Sequence, residues 1–157
     1  MHSYSFRSGQ AQSGVAMVEF AIALPLLLLL LLAIGEFGRM LYYYNNLLQA
    51  NRDAVRYLAG EAWNTTLGRV EIDPALEART KNIAVYGVPA VQSGEEVVPG
   101  LTTGDVTVGP VVVGSNHVQV RISYVFRPVI GNALPALIGD AMPLNFPLVA
   151  TTVMRAL

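Results

Sequence analysis

The feature that most constrains this chain is a long apolar segment near its N-terminus that contains a single charged residue. Residues 15–35 hold only one ionisable side chain, Glu19, and include an unbroken leucine run from Leu26 to Leu32. Twenty-one residues at ~1.5 Å each give a helix of roughly 31 Å, which matches the hydrocarbon core of a bilayer. The segment therefore predicts a single membrane-spanning helix, in which Pro25 is tolerated.

The charges that flank this segment predict its orientation. Residues 1–14 carry Arg7 and the amino terminus and contain no acidic residue. Positively charged flanks remain on the cytoplasmic side of a membrane. We therefore expect a cytoplasmic N-terminus, with everything after Glu36 on the opposite side.

Composition excludes several classes of function. Charged residues make up 13% of the 157-residue chain and the formal net charge is -1, so a nucleic acid partner is not expected. The absence of cysteine excludes disulfides, thiolate metal sites and a lipoprotein anchor. The two histidines, His2 and His117, are far apart, and no catalytic or metal-binding pattern accompanies them. We therefore expect no enzymatic activity, no metal and no cofactor.

The helical pattern continues beyond the apolar segment. No proline or turn cluster interrupts residues 36–58, and apolar residues recur there in steps of four and three, as on one face of a helix. This pattern predicts one helix over about 16–59, with an amphipathic outer part at 36–60. The predicted seam consists of Phe37, Leu41, Tyr44, Leu48, Asn51, Val55 and Leu58.

Residues 61–157 predict an α+β head. After a connector at 60–72, Asp73 and Pro74 have the spacing of a helix cap and first turn, and Gly87 ends that helix. A glycine- and proline-rich stretch, 87–104, predicts an irregular loop.

Alternating apolar and polar residues then predict about three antiparallel strands packed on the outer half of the long helix. The strands are expected at 106–108, 118–126 and 146–154, with a hairpin turn at Gly114-Ser115-Asn116 and a short apolar segment, 134–138, before the last strand.

Glu19 is the most informative residue of the apolar segment. A carboxylate inside a membrane span costs about 2.5–3.5 kcal/mol at mid-depth and less near an end, and residues 15–35 contain no cation to pair with it. A partner would therefore come from another molecule. Cleavage after Gly14 would turn Val15 into a new amino terminus, and that amine could pair with Glu19 of a neighbouring subunit.

These residues resemble a known family. The run from Gly14 to Phe20 resembles the processing site of type IV prepilins, with glycine before the cut and glutamate at the fifth mature position. Over 14–60 the chain resembles the TadE-like family, the pseudopilins of Tad (Flp) type IV pilus systems. The matching features are Val18-Glu19-Phe20-Ala21, Pro25-Leu26-Leu27, Glu36-Phe37-Gly38-Arg39, the stretch Asn51 to Tyr57, Ala59, and the C-terminal Ala150 to Arg155.

The resemblance implies a function in pilus assembly. It implies a leader at 1–14 that a prepilin peptidase removes between Gly14 and Val15, a transmembrane helix at 15–35 in the bacterial inner membrane, and a periplasmic or extracellular head at 61–157. The implied processing and assembly residues are Gly14, Val15, Glu19 and Phe20. The implied partners are other pilin or pseudopilin subunits, the Tad inner-membrane machinery and the bilayer, in a pilus used for adhesion.

Two other interpretations remain open at this point. The chain could be an uncleaved, signal-anchored periplasmic binding domain without a role in a filament. Alternatively, the apolar segment could be a secretory signal peptide cut near Ala33-Ile34-Gly35, although Glu19 and the length of the run are unusual for one. Tyr42-Tyr43-Tyr44 is compatible with an interfacial aromatic belt and equally with a core and partner surface.

Overall fold

The computed structural model describes residues 10–129, 133–134, 142–143 and 146–157, and it confirms the α+β class. It divides into two compact units, Met1–Gly38 and Arg39–Leu157. The predicted leader before residue 10 and the predicted apolar segment beyond residue 134 lie outside the described residues. The helices are α1 (Gln10–Glu61) and α2 (Pro74–Tyr86), and the strands are β1 (Trp63–Asn64), β2 (Arg69–Val70), β3 (Val106–Pro110), β4 (His117–Val125), β5 (Ala133–Leu134), β6 (Met142–Pro143) and β7 (Pro147–Arg155).

Helix α1 is longer than the sequence predicts. It begins at Gln10 instead of residue 16 and ends at Glu61 instead of residue 59. The early start has a simple reason, since Gln10, Ala11 and Gln12 favour helix and no proline precedes Gly14 in this stretch. Pro25 lies inside the helix, as predicted. Within the first unit, most side chains from residue 14 onward are exposed and the others are only partly covered.

The second unit contains a three-stranded antiparallel sheet in the order β3-β4-β7, which confirms the predicted strands. Strand β4 is central and pairs along its whole length with β7, from His117 opposite Arg155 to Val125 opposite Pro147. The predicted turn at 114–116 is part of a longer loop, 111–116, between β3 and β4. Alternate side chains of β4 are buried in the core: Val118, Val120, Ile122 and Tyr124.

The face of α1 that enters this core differs from the predicted seam at one end. Asn51, Val55 and Leu58 are buried as predicted, but Phe37 is 58% exposed and Leu41 is 42% exposed. Phe37 precedes the head, whose compact unit begins at Arg39. Leu41 points about 100° round the helix from its neighbour Met40, which packs against the core. The buried face of α1 runs through Ala54, Ala50 and Leu47 to the half-buried Tyr43 and Met40.

The predicted boundaries of α2 are confirmed by its caps. The Asp73 carboxylate accepts a hydrogen bond from the Leu76 N–H at 2.6 Å, and Pro74 occupies the first turn. Gly87 adopts the left-handed conformation (φ 74°), and its N–H donates to the Ile83 carbonyl at 2.9 Å. Glycine is favoured there because a side chain would strain that backbone.

The connector at 60–72 is not the plain linker that the sequence predicts. It forms a small hairpin in which Trp63 pairs with Val70 and Asn64 pairs with Arg69. The Asn64 side-chain oxygen accepts the N–H groups of Thr66 and Leu67, each at 3.0 Å, which closes the turn. Two-residue strands are too short to show a period of two, so the sequence pattern does not reveal this hairpin.

Asn51 is the polar centre of the interface between α1 and the sheet. Its side chain is fully buried. In the amide orientation that satisfies both ends, Nδ2 donates to the Val120 carbonyl at 3.0 Å, and Oδ1 accepts from the N–H and the hydroxyl of Thr152, each at 2.9 Å. Val120 and Thr152 face each other across β4 and β7, so one helical side chain joins both strands.

We expect Asn51→Ala to destabilise the head, because it leaves buried hydrogen-bonding groups of Val120 and Thr152 without their partner. The loss should be about 1–3 kcal/mol in the free energy of unfolding. Unfolding in urea can be followed by the fluorescence of Trp63, the only tryptophan in the chain.

A matched control is Asn45→Ala. The Asn45 amide is exposed and donates to the Leu41 carbonyl of its own helix at 3.0 Å, so this substitution should change stability by no more than about 0.5 kcal/mol. Equal losses in the two variants would contradict the role assigned to Asn51.

Candidate assembly surface

The four predicted processing and assembly residues lie together on the first turns of α1. Val15 and Glu19 are four residues apart and therefore share one face of the helix. Val18 and Ile22 border the same shallow strip. Phe20, 60% exposed, points about 100° further round the helix. The structure thus brings Gly14, Val15 and Glu19 onto one surface and places Phe20 at its side.

Gly14 has no conformational or packing reason to be glycine among the residues that the structure describes. It lies in regular helix, and a Cβ added there would meet no atom within 4 Å. Glycine inside a helix is less favourable than alanine by about 0.5–1 kcal/mol. Any requirement for a small residue at this position therefore comes from outside the part of the chain that the structure describes.

Glu19 is an exposed acid on an apolar surface. Its neighbours on the helix face, Val18 and Ile22, are apolar and 60% and 74% exposed. Residues 15–35 contain no lysine, arginine or histidine. In a nonpolar environment a lone carboxylate is unfavourable unless a cation or hydrogen-bond donor meets it. The strip can therefore recognise a positive group presented by another molecule.

A second group of polar side chains lies in the head, around Arg39. The Arg39 guanidinium stacks on two aromatic rings, 4.8 Å from the centroid of Phe126 and 5.4 Å from that of Tyr43. Its Nη2 also donates to the Arg127 carbonyl at 2.8 Å. Tyr43 meets Tyr124 edge-on at 6.3 Å. We call these five residues the Arg39 cluster.

Tyr124 joins the Arg39 cluster to the rest of the core. It is 4% exposed, and its hydroxyl donates to the Pro99 carbonyl at 2.9 Å. Burial raises the pKa of the Tyr124 phenol, and nearby Tyr43 raises it further, while the guanidinium groups of Arg127 and Arg39 oppose the shift. Both arginines therefore lie close enough to Tyr124 to affect its ionisation.

The sequence did not predict the Arg39 cluster as a unit. Arg39 stood out only as part of Glu36-Phe37-Gly38-Arg39, and its partner Arg127 is 88 residues away. No local pattern connects the two positions. Among the residues that the structure describes, no three histidine, cysteine, aspartate or glutamate side chains come together as metal ligands would.

The raised pKa of Tyr124 predicts a loss of stability in alkali. The pKa of Tyr124 in the folded state lies above the ordinary value of 10.0. The contribution of the Tyr124 phenol to the free energy of unfolding is therefore complete below pH 10.0 and is lost as pH rises through the folded-state pKa. Tyr124→Phe should lose about 1 kcal/mol near neutral pH with its hydrogen bond, but its stability should fall less between about pH 9 and about pH 12.

The measurement is the urea midpoint across that pH range, followed by Trp63 fluorescence. The control is Tyr42→Phe, since Tyr42 is 62% exposed and should keep the alkaline loss of the parent chain. An unchanged alkaline loss in Tyr124→Phe would contradict this assignment.

The match found by comparison with known proteins lies in helix α1, which carries the predicted assembly residues. The sequence model of the family described as TadE-like protein matches residues 14–56, whereas neither curated proteins nor solved structures give a match. Within the described residues, one helical stretch, Gly14–Glu61, is long and apolar enough to cross a membrane, which fits a single-pass membrane protein. TadE-like pilins are structural, non-enzymatic proteins. The predicted resemblance to the TadE-like family is therefore confirmed over residues 14–56, and this family indicates a pilin-like protein associated with Tad pilus systems.

Proposed function

We propose that this protein is a minor pilin or pseudopilin that takes part in the biogenesis of a Tad (Flp) type IV pilus and assembles through its N-terminal helix. The observation that carries the proposal is the position of Glu19. It lies on an exposed apolar face of α1, five residues after Gly14, inside the segment that matches the TadE-like family. In assembly, an acid at that position can pair with a positive group of a neighbouring subunit. In a simple membrane anchor, the same acid would only make insertion less favourable.

The first step is removal of the leader. A prepilin peptidase at the cytoplasmic face hydrolyses the peptide bond between Gly14 and Val15, which releases residues 1–14 with a new carboxylate and leaves an amine on Val15. Gly14 has no side chain to obstruct the peptidase beside the scissile bond, and within 10–129 no neighbouring atom requires a glycine there. The new amine provides the cation that residues 15–35 otherwise lack.

The second step is pairing between subunits. The Val15 amine of one subunit meets Glu19 of its neighbour, so that two groups that are unfavourable alone in an apolar environment neutralise each other. This pair sets the axial register of adjacent helices. Phe20 and the leucine run provide the apolar contact around it, since packing drives association of helices in a bilayer.

The remaining parts follow from this arrangement. Residues 15–35 span the inner membrane with the leader on the cytoplasmic side, 36–60 continue the helix beyond the membrane, and 61–157 form most of a periplasmic head. The partners are other pilin or pseudopilin subunits, the Tad inner-membrane machinery and the prepilin peptidase. The head is available for contacts with further pilus components in an adhesive filament.

Gly14→Leu should block processing, because a bulky side chain would not fit beside the scissile bond. In cells that contain the cognate peptidase, intact mass and N-terminal sequencing should give residues 15–157 for the parent chain and residues 1–157 for the variant. The control is Gly9→Leu, which alters the leader away from the cut and should leave cleavage at Gly14 unchanged.

Two other outcomes would point to other functions. A parent chain that keeps Met1 in peptidase-positive cells would contradict processing and favour the signal-anchored periplasmic domain. A mature chain that begins near residue 36 would identify a secretory signal peptide instead.

Glu19→Leu should leave membrane insertion intact or improve it, because it removes a charge from the span. Pilus output, or incorporation of the subunit, should fall at least about tenfold, since the Val15 amine of the neighbour loses its partner. The measurements are carbonate extraction of membranes for insertion and quantification of sheared pili for assembly.

The control for Glu19→Leu is Val18→Leu, a substitution at the adjacent exposed position that alters shape but not charge. It should support normal piliation. Normal piliation in Glu19→Leu would refute the register role and leave the membrane anchor as the only function of the N-terminal part of the helix.

A further inference from the structure

One end of the head combines exposed aromatic and apolar side chains with two arginines. Tyr42 is 62% exposed, Val129 is 78% exposed and Phe146 is 41% exposed. Arg127 is exposed and Arg39 is half-buried. We call these five residues the aromatic–arginine surface. It belongs entirely to the unit Arg39–Leu157.

Contacts within the head link four of these residues, Arg39, Arg127, Phe146 and Tyr42, directly or through Phe126 and Tyr43. Arg39 donates to the Arg127 carbonyl at 2.8 Å and stacks on Phe126. The Phe126 ring lies 6.5 Å from that of Phe146, and Tyr42 lies 6.1 Å from Tyr43 of the Arg39 cluster. Val129 follows Arg127 by two residues. The surface is therefore built on the ordered Arg39 cluster.

The length of the connecting chain fixes how far this surface can lie from a membrane. Arg39 is four residues after Gly35, the last residue of the predicted span. Four residues reach at most about 14 Å in any conformation. The polar headgroup layers add about 5–8 Å on each side of the hydrocarbon core. Arg39 is thus confined to the headgroup layer or its immediate vicinity.

The chemistry of the surface suits that layer. Tyrosine rings concentrate at membrane interfaces, where one end of the ring is apolar and the hydroxyl is hydrated. A guanidinium donates hydrogen bonds to phosphate in a bidentate geometry. Arg127 is the exposed cation, and Arg39 holds the Arg127 backbone through its hydrogen bond to the carbonyl. Asp105, an acid close to Tyr124, is engaged in the head, where its carboxylate accepts from the N–H and the hydroxyl of Thr102 at 2.9 and 2.7 Å.

We propose that, while the chain is in the membrane, the aromatic–arginine surface lies in the lipid headgroup layer and Arg127 binds the phosphate of anionic phospholipids. This inference rests on the proposed membrane-spanning segment. It adds a second membrane contact, made by the head, to the one made by the apolar helix. The head then sits against the bilayer before assembly, with Tyr42, Val129 and Phe146 facing the headgroup layer.

The test uses the full chain in nanodiscs, and the absence of native cysteine makes single-site labelling specific. Val129→Cys carries a fluorophore at the proposed contact. Val112→Cys is the control, because Val112 is 65% exposed in the loop between β3 and β4, beyond the opposite end of β4. Eight residue steps along β4 separate its two ends by about 26 Å.

Phosphatidylcholine nanodiscs with and without phosphatidylglycerol are doped with lipid that carries a nitroxide on the headgroup. We expect quenching of the label at position 129, little quenching at position 112, and stronger quenching at 129 when phosphatidylglycerol is present. Arg127→Gln should lower the ratio of docked to undocked heads by about fivefold in anionic nanodiscs. Arg121→Gln, which removes an exposed cation elsewhere on the sheet, should leave it unchanged.

The outcomes separate the two proposals. A chain that enters the nanodisc but shows equal quenching at 129 and 112 would overturn the headgroup contact while leaving the membrane span intact. Quenching at 129 that is independent of phosphatidylglycerol and of Arg127 would overturn binding of anionic lipid. A chain that does not enter the nanodisc at all would refute the span and this inference together. Circular dichroism checks that the head of the Arg127→Gln variant is folded. The substitution keeps the backbone carbonyl of residue 127, which accepts the hydrogen bond from Arg39.

Discussion

The head depends on the burial of one face of α1 against one face of a three-stranded sheet. A sheet of three strands needs an apolar face covered to be stable in water, and the inward residues of β4, among them Val120 and Ile122, are fully buried. The helix contributes Leu47, Ala54 and Leu58 to the same core. The consequence for function is that α1 serves twice: its outer part completes the head, and its N-terminal part presents the proposed assembly residues.

Much of this fold follows from local patterns in the sequence. A period of two predicted β3, β4 and β7, and the Asp73 cap and Gly87 predicted the limits of α2, because each of these signals acts within a few residues. Local sequence patterns fail where the deciding contacts are distant in the sequence, or where an element is too short to show a period. The predicted seam placed Phe37 and Leu41 on the buried face, but Phe37 precedes the unit that forms the head, and Leu41 points away from the side chains of α1 that enter its core. The hairpin at Trp63 has too few residues to show any period.

The candidate site also combines residues that the sequence indicates with residues that only the folded structure brings together. Gly14, Val15, Glu19 and Phe20 can be proposed from the sequence alone because their argument is chemical: an acid in an apolar segment, at a fixed distance from a small residue. The structure adds that Gly14 is not required by the chain's own packing. The Arg39 cluster could not be identified, because Arg39 meets Phe126 and Arg127 only after the sheet has formed. Stacking of a guanidinium on two rings depends on tertiary structure and leaves no spacing in the sequence.

Two polar residues of helix α1, Asn51 and Glu19, have opposite relations to their surroundings. Asn51 is fully buried, and both ends of its amide are satisfied by Val120 and Thr152 of the same chain. It therefore specifies one register of the helix on the sheet, as a single polar residue does in a coiled coil. Glu19 lies on an apolar surface in a segment without a cation. In the proposed assembly the partner of Glu19 is the Val15 amine of a neighbouring subunit, so the same physical logic would make Glu19 specify a register between chains. We infer that α1 uses one device twice, within the chain at Asn51 and between chains at Glu19.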